Sequence, residues 1–279
     1  MTDLKLEEKD ILIDGINVSY IDEGELENTV VIFIHGFPFN KWTWESQINA
    51  LKEKYRVIAY DVRGHGKSIA DTSQVSISQL ADDLFLFMDA LAIESAIICG
   101  LSMGGYIALN AVLAQPARIM ALILCDTQCG ADSDPVKKRR MDTIAVIQKK
   151  GLTLYATDSI QKLFSGNSLV QMNAQVSLIK RMILQTPIPT IVNTLKALAD
   201  RKETCSELSR INIPVMILVG ESDQITSPVV AQKMNALIIG STLHVIGRAG
   251  HLTNLENPIV FNVHMQKFLA TIEQTSKPL

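Results

Sequence analysis

A serine in the setting of an enzymatic nucleophile lies in the segment 100–105, which reads GLSMGG. The segment follows the apolar, β-branched run 95–99 and precedes an alanine-rich helical pattern over 106–114. On so tight a strand-to-helix turn the serine backbone is strained, and its hydroxyl points out of the sheet toward a base and a substrate carbonyl. Glycines are required beside it because a Cβ there would collide with the neighbouring strand and helix. The pattern therefore predicts that Ser102 is a nucleophile.

A serine hydroxyl is a weak nucleophile unless a base accepts its proton and an acid orients that base. The candidate base is His251, which stands beside a glycine in the loop after a late predicted strand. The other two histidines of the C-terminal half, His244 within a strand and His264 within the last helix, are predicted to be packed or surface residues.

Three carboxylates are candidates for the acid that orients the histidine. Asp223 is the first choice, because it follows a predicted strand in the segment GESD and can accept from an imidazole N–H. Glu221 in the same segment is the local alternative. Asp126 is a second alternative, because it directly follows the strand that ends at Cys125.

Acyl transfer also requires hydrogen-bond donors for the carbonyl oxygen that becomes negative. The segment HGFP at 35–38 follows the third predicted strand, and the N–H of Phe37 is expected to pair with that of Met103 as an oxyanion hole. The alternative is a simple Gly-Pro turn. His35 is expected to shape this loop by hydrogen bonding rather than to titrate.

A second polar loop, DVRGHGKS at 61–68, follows the fourth predicted strand. Because it precedes the candidate nucleophile and suits a hydrogen-bonded structural role, we interpret it as structural, although a direct role for His65 stays open. Its glycine spacing is not that of a phosphate-binding loop.

These loops can lie close together only if they follow neighbouring strands of one sheet. Open α/β folds bind their ligands beyond the carboxyl ends of such strands. Strand-like and helix-like patterns alternate along the chain and predict an α/β fold with a mostly parallel central sheet flanked by helices. The predicted strands are 11–14, 17–22, 30–35, 56–61, 95–99, 120–125, 214–219 and 242–246. The predicted helices of this core are 42–52, 78–91 with Ser78 as its N-cap, 106–114, 229–237 and 258–269.

The segment from 135 to 202 has no buried-strand pattern and predicts several helices broken near 151, 166–167 and 187–189. A helical insertion between two strands of such a sheet is expected to cap its carboxyl edge. We therefore predict an α/β core at 1–126 and 203–279, and a cap at 127–202 inserted after strand 6. Four apolar cap residues are candidates for lining a pocket or, equally, for packing against the sheet: Leu154, Phe164, Met172 and Met182.

The composition excludes several classes of function. The chain has 279 residues, 20% of them charged, and a formal net charge of −3 without a basic stripe, so no nucleic-acid partner is predicted. The basic cluster 137–140 is flanked by acids and is interpreted as a solvated helix face. The N-terminal residues lack the apolar stretch of a signal peptide, and no apolar run approaches the roughly 18 residues of a membrane span.

Cysteine usage favours a cytoplasmic protein. The four cysteines have no metal-ligand spacing with histidine and are predicted to be reduced, packed thiols: Cys99, Cys125, Cys129 and Cys205. No metal is predicted.

Taken together, five segments resemble the motifs of the α/β-hydrolase superfamily over nearly the whole chain: 35–38, 61–68, 100–105, 220–223 and 250–251. Within that superfamily the chain is similar to the capped group of 3-oxoadipate enol-lactonases, small carboxylesterases and cofactor-free haloperoxidases or perhydrolases. The segment HLTNLENP at 251–258 is particularly similar to the lactonase-like members.

The resemblance implies that Ser102, Asp223 and His251 form a catalytic triad, with Phe37 and Met103 as oxyanion donors and no cofactor. The chain order serine, acid, histidine is that of this superfamily. Ser102 argues against a halide-displacing dehalogenase, because that reaction uses a carboxylate at this position.

The expected function is a serine hydrolase that cleaves a small carboxylic ester or lactone through an acyl-enzyme. The alternatives are a ligand sensor that retains the triad on the same fold, and a perhydrolase or C–C bond hydrolase. No nucleic-acid or membrane partner is expected. The cap matches no substrate-specific pattern, so the substrate and the oligomeric state stay open.

Overall fold

A single mixed sheet carries the fold in the computed structural model, which describes residues 6–69 and 74–276. The eight strands in those residues lie in the order β1-β2-β4-β3-β5-β6-β7-β8. The pairs β1–β2 and β2–β4 are antiparallel and all later pairs are parallel. Their bounds are β1 Glu8–Ile13, β2 Ile16–Glu23, β3 Val30–Ile34, β4 Arg56–Tyr60, β5 Ala96–Leu101, β6 Ile119–Cys125, β7 Val215–Gly220 and β8 Thr242–Ile246.

Helices cover both faces of the sheet, because the central strands are apolar on both sides and must be buried on both. One core cluster joins the sheet to α2, α3 and α9, and a second joins its other face to α1 and α11. These helices, with the short α10, span α1 Glu45–Leu51, α2 Ile77–Ala90, α3 Met103–Ala114, α9 Pro228–Leu237, α10 Thr253–Glu256 and α11 Pro258–Ser276. The predicted α/β architecture is confirmed.

Three details of the predicted helices are wrong. The N-cap of α2 is Ser76, whose side chain accepts from the N–H of Gln79, and not Ser78. The helix after the serine begins at Met103 rather than at 106, because its apolar first turn lacks helical amphipathicity. The segment 42–52 begins as a 3₁₀ turn, Lys41–Trp44, before α1.

The insertion between β6 and β7 is helical, as predicted. Its breaks lie at Gly151, at Phe164–Ser165, at Met172 and at Thr186–Pro187, so one break more is present than the sequence indicated. The division of the chain at 126/127 and 202/203 stays a prediction. The helices of the insertion are α4 Asp134–Lys150, α5 Leu152–Leu163, α6 Gly166–Gln171, α7 Asn173–Gln185 and α8 Ile188–Asp200.

Buried polar contacts hold the two ends of the insertion together. The Arg201 guanidinium lies 2.7 Å from a carboxylate oxygen of Asp132 and 4.4 Å from the ring centroid of Tyr106. Arg140 pairs with the other oxygen of Asp132, and both sides of this carboxylate are therefore neutralised. A buried ion pair is costly unless its charged groups are partnered. Both carboxylate oxygens of Asp132 are paired here, whereas Arg201 Nε has no hydrogen-bond partner among the described residues.

The prediction that all four cysteines are reduced is wrong. Cys129 and Cys205 form a disulfide that joins the segments entering and leaving the insertion. The two cysteines are 76 residues apart in sequence, and no local pattern indicates their pairing. Cys99 and Cys125 are buried free thiols on neighbouring strands, with their sulfur atoms 3.8 Å apart.

No helix in the described part of the chain is long and apolar enough to cross a lipid bilayer.

The disulfide leads to a prediction about thiol content. The protein denatured without reductant exposes two reactive thiols, and four only after reduction. Replacing both Cys129 and Cys205 by serine lowers the free energy of unfolding by about 3 kcal/mol, because the unfolded chain regains the freedom of a long loop. Reductant should destabilise the native protein and leave this double variant unchanged. Four thiols before reduction would contradict the disulfide.

Candidate active site

The backbone at Ser102 has a left-handed conformation, with φ 51° and ψ −108°. Such a conformation costs a non-glycine residue about 1–3 kcal/mol and persists only where the surroundings hold it. The Ser102 N–H donates to the Cys125 carbonyl at 2.8 Å. Its own carbonyl accepts from the Gly105 N–H at 2.9 Å and from the Thr127 hydroxyl at 2.8 Å. The turn between β5 and α3 is thus fixed to the end of β6.

The glycines of this turn are required by close backbone approach. A Cβ at Gly100 would overlap the Gly104 carbonyl, and a Cβ at Gly104 would overlap the Ile34 carbonyl of β3. A Cβ at Gly105 would overlap the Thr127 side chain. Helix α3 can therefore start directly against the sheet only because these positions carry no side chain.

His251 joins the serine to a carboxylate. Its Nε2 lies 2.8 Å from Ser102 Oγ, and its Nδ1 lies 2.8 Å from Asp223 Oδ2. These side chains follow β5, β7 and β8, whose carboxyl ends meet at one edge of the sheet. His251 and Asp223 are buried, whereas Ser102 is half-buried. The three form one hydrogen-bonded chain in which a proton can pass from the hydroxyl to the imidazole.

Asp223 is held rigidly by its own turn. Its Oδ1 accepts from the N–H groups of Ile225 at 2.7 Å and Thr226 at 3.0 Å, and its Oδ2 accepts from the Thr226 hydroxyl at 2.8 Å. Burial alone would raise the pKa of Asp223, but the charge of His251 and these hydrogen bonds lower it below its ordinary value. The carboxylate is therefore ionised and directed at the ring.

The pKa of His251 lies above its ordinary value of 6.5. Burial alone would lower it, but the charge and hydrogen bond of Asp223 outweigh burial, with smaller contributions from the charges of Asp126 and Glu256. The surroundings of the ring therefore favour its protonated form, the form produced when a base takes a proton.

The two alternative acids do not contact the histidine. Asp126 is fully buried, and its oxygens accept from the Gly220 N–H at 2.9 Å and from the Thr253 N–H and hydroxyl at 3.1 and 2.6 Å. Burial and the charge of Asp223 raise its pKa. Glu221 is exposed and accepts from the Arg248 N–H at 3.3 Å. Asp126 thus ties the end of β6 to the loops that carry the other two groups.

Two backbone N–H groups are available as donors, that of Phe37 in the loop after β3 and that of Met103 at the start of α3. Within the described residues, neither the Phe37 N–H nor the Met103 N–H donates to another protein atom. His35 shapes this loop, as expected, because its Nδ1–H donates to the Gly36 carbonyl at 2.8 Å and its Nε2 accepts from the Val62 N–H at 3.0 Å. Burial lowers the pKa of His35 to about 4, so the ring is neutral.

The loop 61–68 is organised around a buried ion pair. Asp61 accepts from the Lys41 ammonium at 2.8 Å and from the N–H groups of Lys41 and Lys67. No sequence pattern indicates this buried role of Lys41, because a lysine that follows a glycine- and proline-containing loop is expected to lie at the surface. His65 is buried, its Nδ1–H donates to the Arg63 carbonyl at 3.1 Å, and burial lowers its pKa to about 3.

The insertion packs directly on the histidine loop. The His251 N–H donates to the Leu163 carbonyl at 2.8 Å, and a Cβ at Gly250 would lie 2.7 Å from the Ser165 nitrogen. The Phe37 side chain packs against an apolar cluster of the insertion that includes Ile144, Ile147, Ile191, Val192 and Leu195. The candidate site therefore lies between the edge of the sheet and the apolar cluster of the insertion.

The four candidate lining residues occupy different surroundings. Phe164 and Met182 are buried in the core cluster that covers one face of the sheet, which favours packing for both. Leu154 is 46% exposed. Met172 borders a separate cavity of about 200 Å³ that is otherwise lined by polar side chains of α6 and of the segment 248–257. In the described part of the chain, no three histidine, cysteine, aspartate or glutamate side chains are grouped as metal ligands.

Comparisons with known proteins agree with this architecture. Residues 29–258 match the family model described as alpha/beta hydrolase fold. The chain is 28% identical over 247 residues to "3-oxoadipate enol-lactonase 2" of Acinetobacter baylyi, covering 88% of this chain and 91% of that protein. A thermophilic esterase from Thermogutta terrifontis superposes with a TM-score of 0.90 at 28% identity, covering 95% of this chain and 99% of that one. Est816, described as an N-acyl homoserine lactone degrading enzyme, has a TM-score of 0.81 at 25% identity, with 93% and 100% covered.

The hydrogen bonds of Asp126 lead to a stability prediction. In Asp126→Asn the amide nitrogen cannot accept, so a buried N–H of Gly220 or Thr253 loses its partner, and the free energy of unfolding falls by about 2 kcal/mol. Urea denaturation at pH 8 measures this change. The matched control is Asp158→Asn on the exposed face of α5, which should change it by less than about 0.5 kcal/mol. Equal stability of the two variants would contradict a tethering role for Asp126.

Proposed function

Because the chain belongs to the alpha/beta hydrolase fold family, we propose that it is a serine hydrolase that cleaves a small carboxylic ester or lactone through an acyl-enzyme. The observation that carries the proposal is the hydrogen-bonded chain Ser102–His251–Asp223, with both links at 2.8 Å. The lactonase and esterase relatives, each about 28% identical, support this class of substrate.

In the first half of the reaction, Ser102 Oγ attacks the substrate carbonyl carbon and its proton passes to His251 Nε2. The carbonyl oxygen becomes negative and accepts from the N–H groups of Phe37 and Met103. Each such donor contributes on the order of 3 kcal/mol of transition-state stabilisation. His251 then returns the proton to the departing alkoxide, and the acyl group stays on Ser102.

In the second half, His251 takes a proton from water, and the hydroxide attacks the acyl carbonyl. The carboxylic acid leaves, and Ser102 Oγ recovers its proton from His251. Asp223 accepts from the Nδ1–H throughout, which keeps Nε2 facing the serine and stabilises the imidazolium. The raised pKa of His251 supports its role as the group that holds the proton transiently within each half of the reaction.

The apolar cluster against Phe37 supports a small organic substrate rather than a polar polymer. It faces the loop whose N–H is proposed to bind the carbonyl oxygen, so the acyl or lactone carbons adjacent to that carbonyl lie nearest to it. Ester chains of increasing length and lactones of increasing ring size are therefore the substrates to compare.

The role of Ser102 leads to the first activity prediction. The purified protein hydrolyses p-nitrophenyl esters over multiple turnovers, and Ser102→Ala lowers kcat by more than about 10³-fold because no acyl-enzyme can form. The Ser222→Ala variant, which removes an exposed serine hydroxyl near the same sheet edge, serves as the matched control and should keep the wild-type rate. Retention of a tenth of the rate by Ser102→Ala would sink the proposal.

The identity of the acid is tested by two asparagine variants. Asp223→Asn lowers kcat by about 10³–10⁴-fold, because the amide no longer holds the correct imidazole tautomer or stabilises the imidazolium. Asp126→Asn should keep more than a tenth of the activity per folded molecule. Initial rates at pH 8 with an active-site titration compare the two, and the reverse order would assign the acid to Asp126.

A further inference from the structure

Five residues after His251 lies a buried carboxylate that the proposed reaction does not use. Glu256 is 8% exposed, and its Oε1 accepts from the Gly250 N–H at 2.8 Å and from the Leu252 N–H at 3.4 Å. A single oxygen therefore binds the residues immediately before and after the histidine. Side chains that hold both neighbours of a functional residue restrict its backbone and so its ring.

The second oxygen of Glu256 reaches the insertion. Its Oε2 accepts from the Ser165 N–H at 2.8 Å, next to the bond from the His251 N–H to the Leu163 carbonyl. Gly250 lacks the Cβ that would separate the two backbones. The histidine loop and the segment 163–165 are therefore joined by two hydrogen bonds, one of which depends on Glu256.

A buried carboxylate is costly unless its oxygens are hydrogen-bonded. In the described part of the chain the hydrogen-bond partners of the Glu256 carboxylate are backbone N–H groups. Glu256 and Arg248 both line the polar cavity of about 200 Å³. An apolar residue at this position would leave the N–H groups of Gly250 and Ser165 without acceptors. The need to hold these two segments together accounts for a carboxylate at this position. Its negative charge also affects the pKa of the His251 ring.

We propose that Glu256 is a positioning residue that fixes His251 against the insertion and places a negative charge beside the loop that carries it. The proposal rests on the proposed function, because it requires that His251 act as the base. It assigns to this side chain one of the two hydrogen bonds that join the insertion to the histidine loop.

The charges that face His251 are those of Asp223, Asp126 and Glu256, and all three raise its pKa against the effect of burial. Neutralising Glu256 removes one of them and therefore lowers the pKa of His251. A base must be neutral to accept the Ser102 proton, so the rate rises with pH through this pKa. Loss of the Glu256 charge therefore shifts the rise of the Ser102 reaction rate to lower pH. Loss of loop order alone lowers the maximum rate that is reached at high pH, the plateau, without shifting the rise.

Two variants separate these effects. Glu256→Gln keeps the length and removes the charge, and its amide nitrogen cannot accept from one of the N–H groups. Glu256→Asp keeps the charge but is one methylene too short to reach both Gly250 and Ser165. The matched control is Glu221→Gln, which removes an exposed negative charge from the neighbouring loop.

The experiment measures the rate at which a fluorophosphonate labels Ser102 in the full-length protein between pH 4 and 9. In this reaction the Oγ–P bond forms, fluoride leaves and the serine proton passes to the base. Labelling of Glu256→Gln should be roughly tenfold slower at the plateau, and its midpoint, the pH of half-maximal rate, should lie at lower pH. Glu256→Asp should label more slowly with a midpoint close to that of the wild type, and Glu221→Gln should match the wild type in both.

Wild-type plateau and midpoint in Glu256→Gln would overturn the proposal, as would a lower plateau with an unchanged midpoint. Should Glu256→Gln fail to fold, as judged by circular dichroism, a wild-type labelling rate in Glu256→Asp overturns it instead. Absence of labelling in the wild-type protein would contradict the proposed function itself, so the two failures are distinguishable.

Discussion

The left-handed backbone at Ser102 is the constraint on which the rest of the site depends. A serine holds φ 51° there because its N–H and carbonyl are both bound to the segment that ends β6. Helix α3 then begins directly against β3, where Gly104 leaves room for the Ile34 carbonyl. The same arrangement presents the hydroxyl to His251 and leaves the Met103 N–H without a protein acceptor among the described residues.

Buried carboxylates organise the groups around that turn, and each is satisfied mainly by loop donors. Asp126 ties β6 to the loops after β7 and β8, and Asp223 is held by its own turn. Glu256 brackets His251 and reaches the insertion. Because each acid accepts from the N–H groups of more than one residue, displacement of one loop disturbs the hydrogen bonds of its neighbours. The electrostatics and the geometry of the site thus have the same origin.

Local patterns in the sequence predict the sheet, its flanking helices and the helical insertion, because period and glycine placement are local properties. They also predict that Ser102, Asp223 and His251 follow strands of one sheet. They rank Asp223 first but leave Glu221 and Asp126 open, since that choice depends on loop conformation. The Cys129–Cys205 disulfide and the Ser165–Glu256 bond join residues 76 and 91 positions apart and have no local signal. Glu256 has only a weak local signal in the sequence, which is its position five residues after His251.

The proposed mechanism requires that Ser102 carries the acyl group of the substrate during hydrolysis. It is tested most directly by mixing the protein with p-nitrophenyl acetate, quenching it in acid during the first turnovers and mapping its peptides by mass spectrometry. Activated esters acylate faster than the acyl-enzyme hydrolyses, so the intermediate accumulates. One acetyl group is expected on the peptide that carries Ser102, and it should appear in step with the initial release of p-nitrophenol. Steady hydrolysis with that peptide unmodified, or with the acetyl group on another residue, would contradict it.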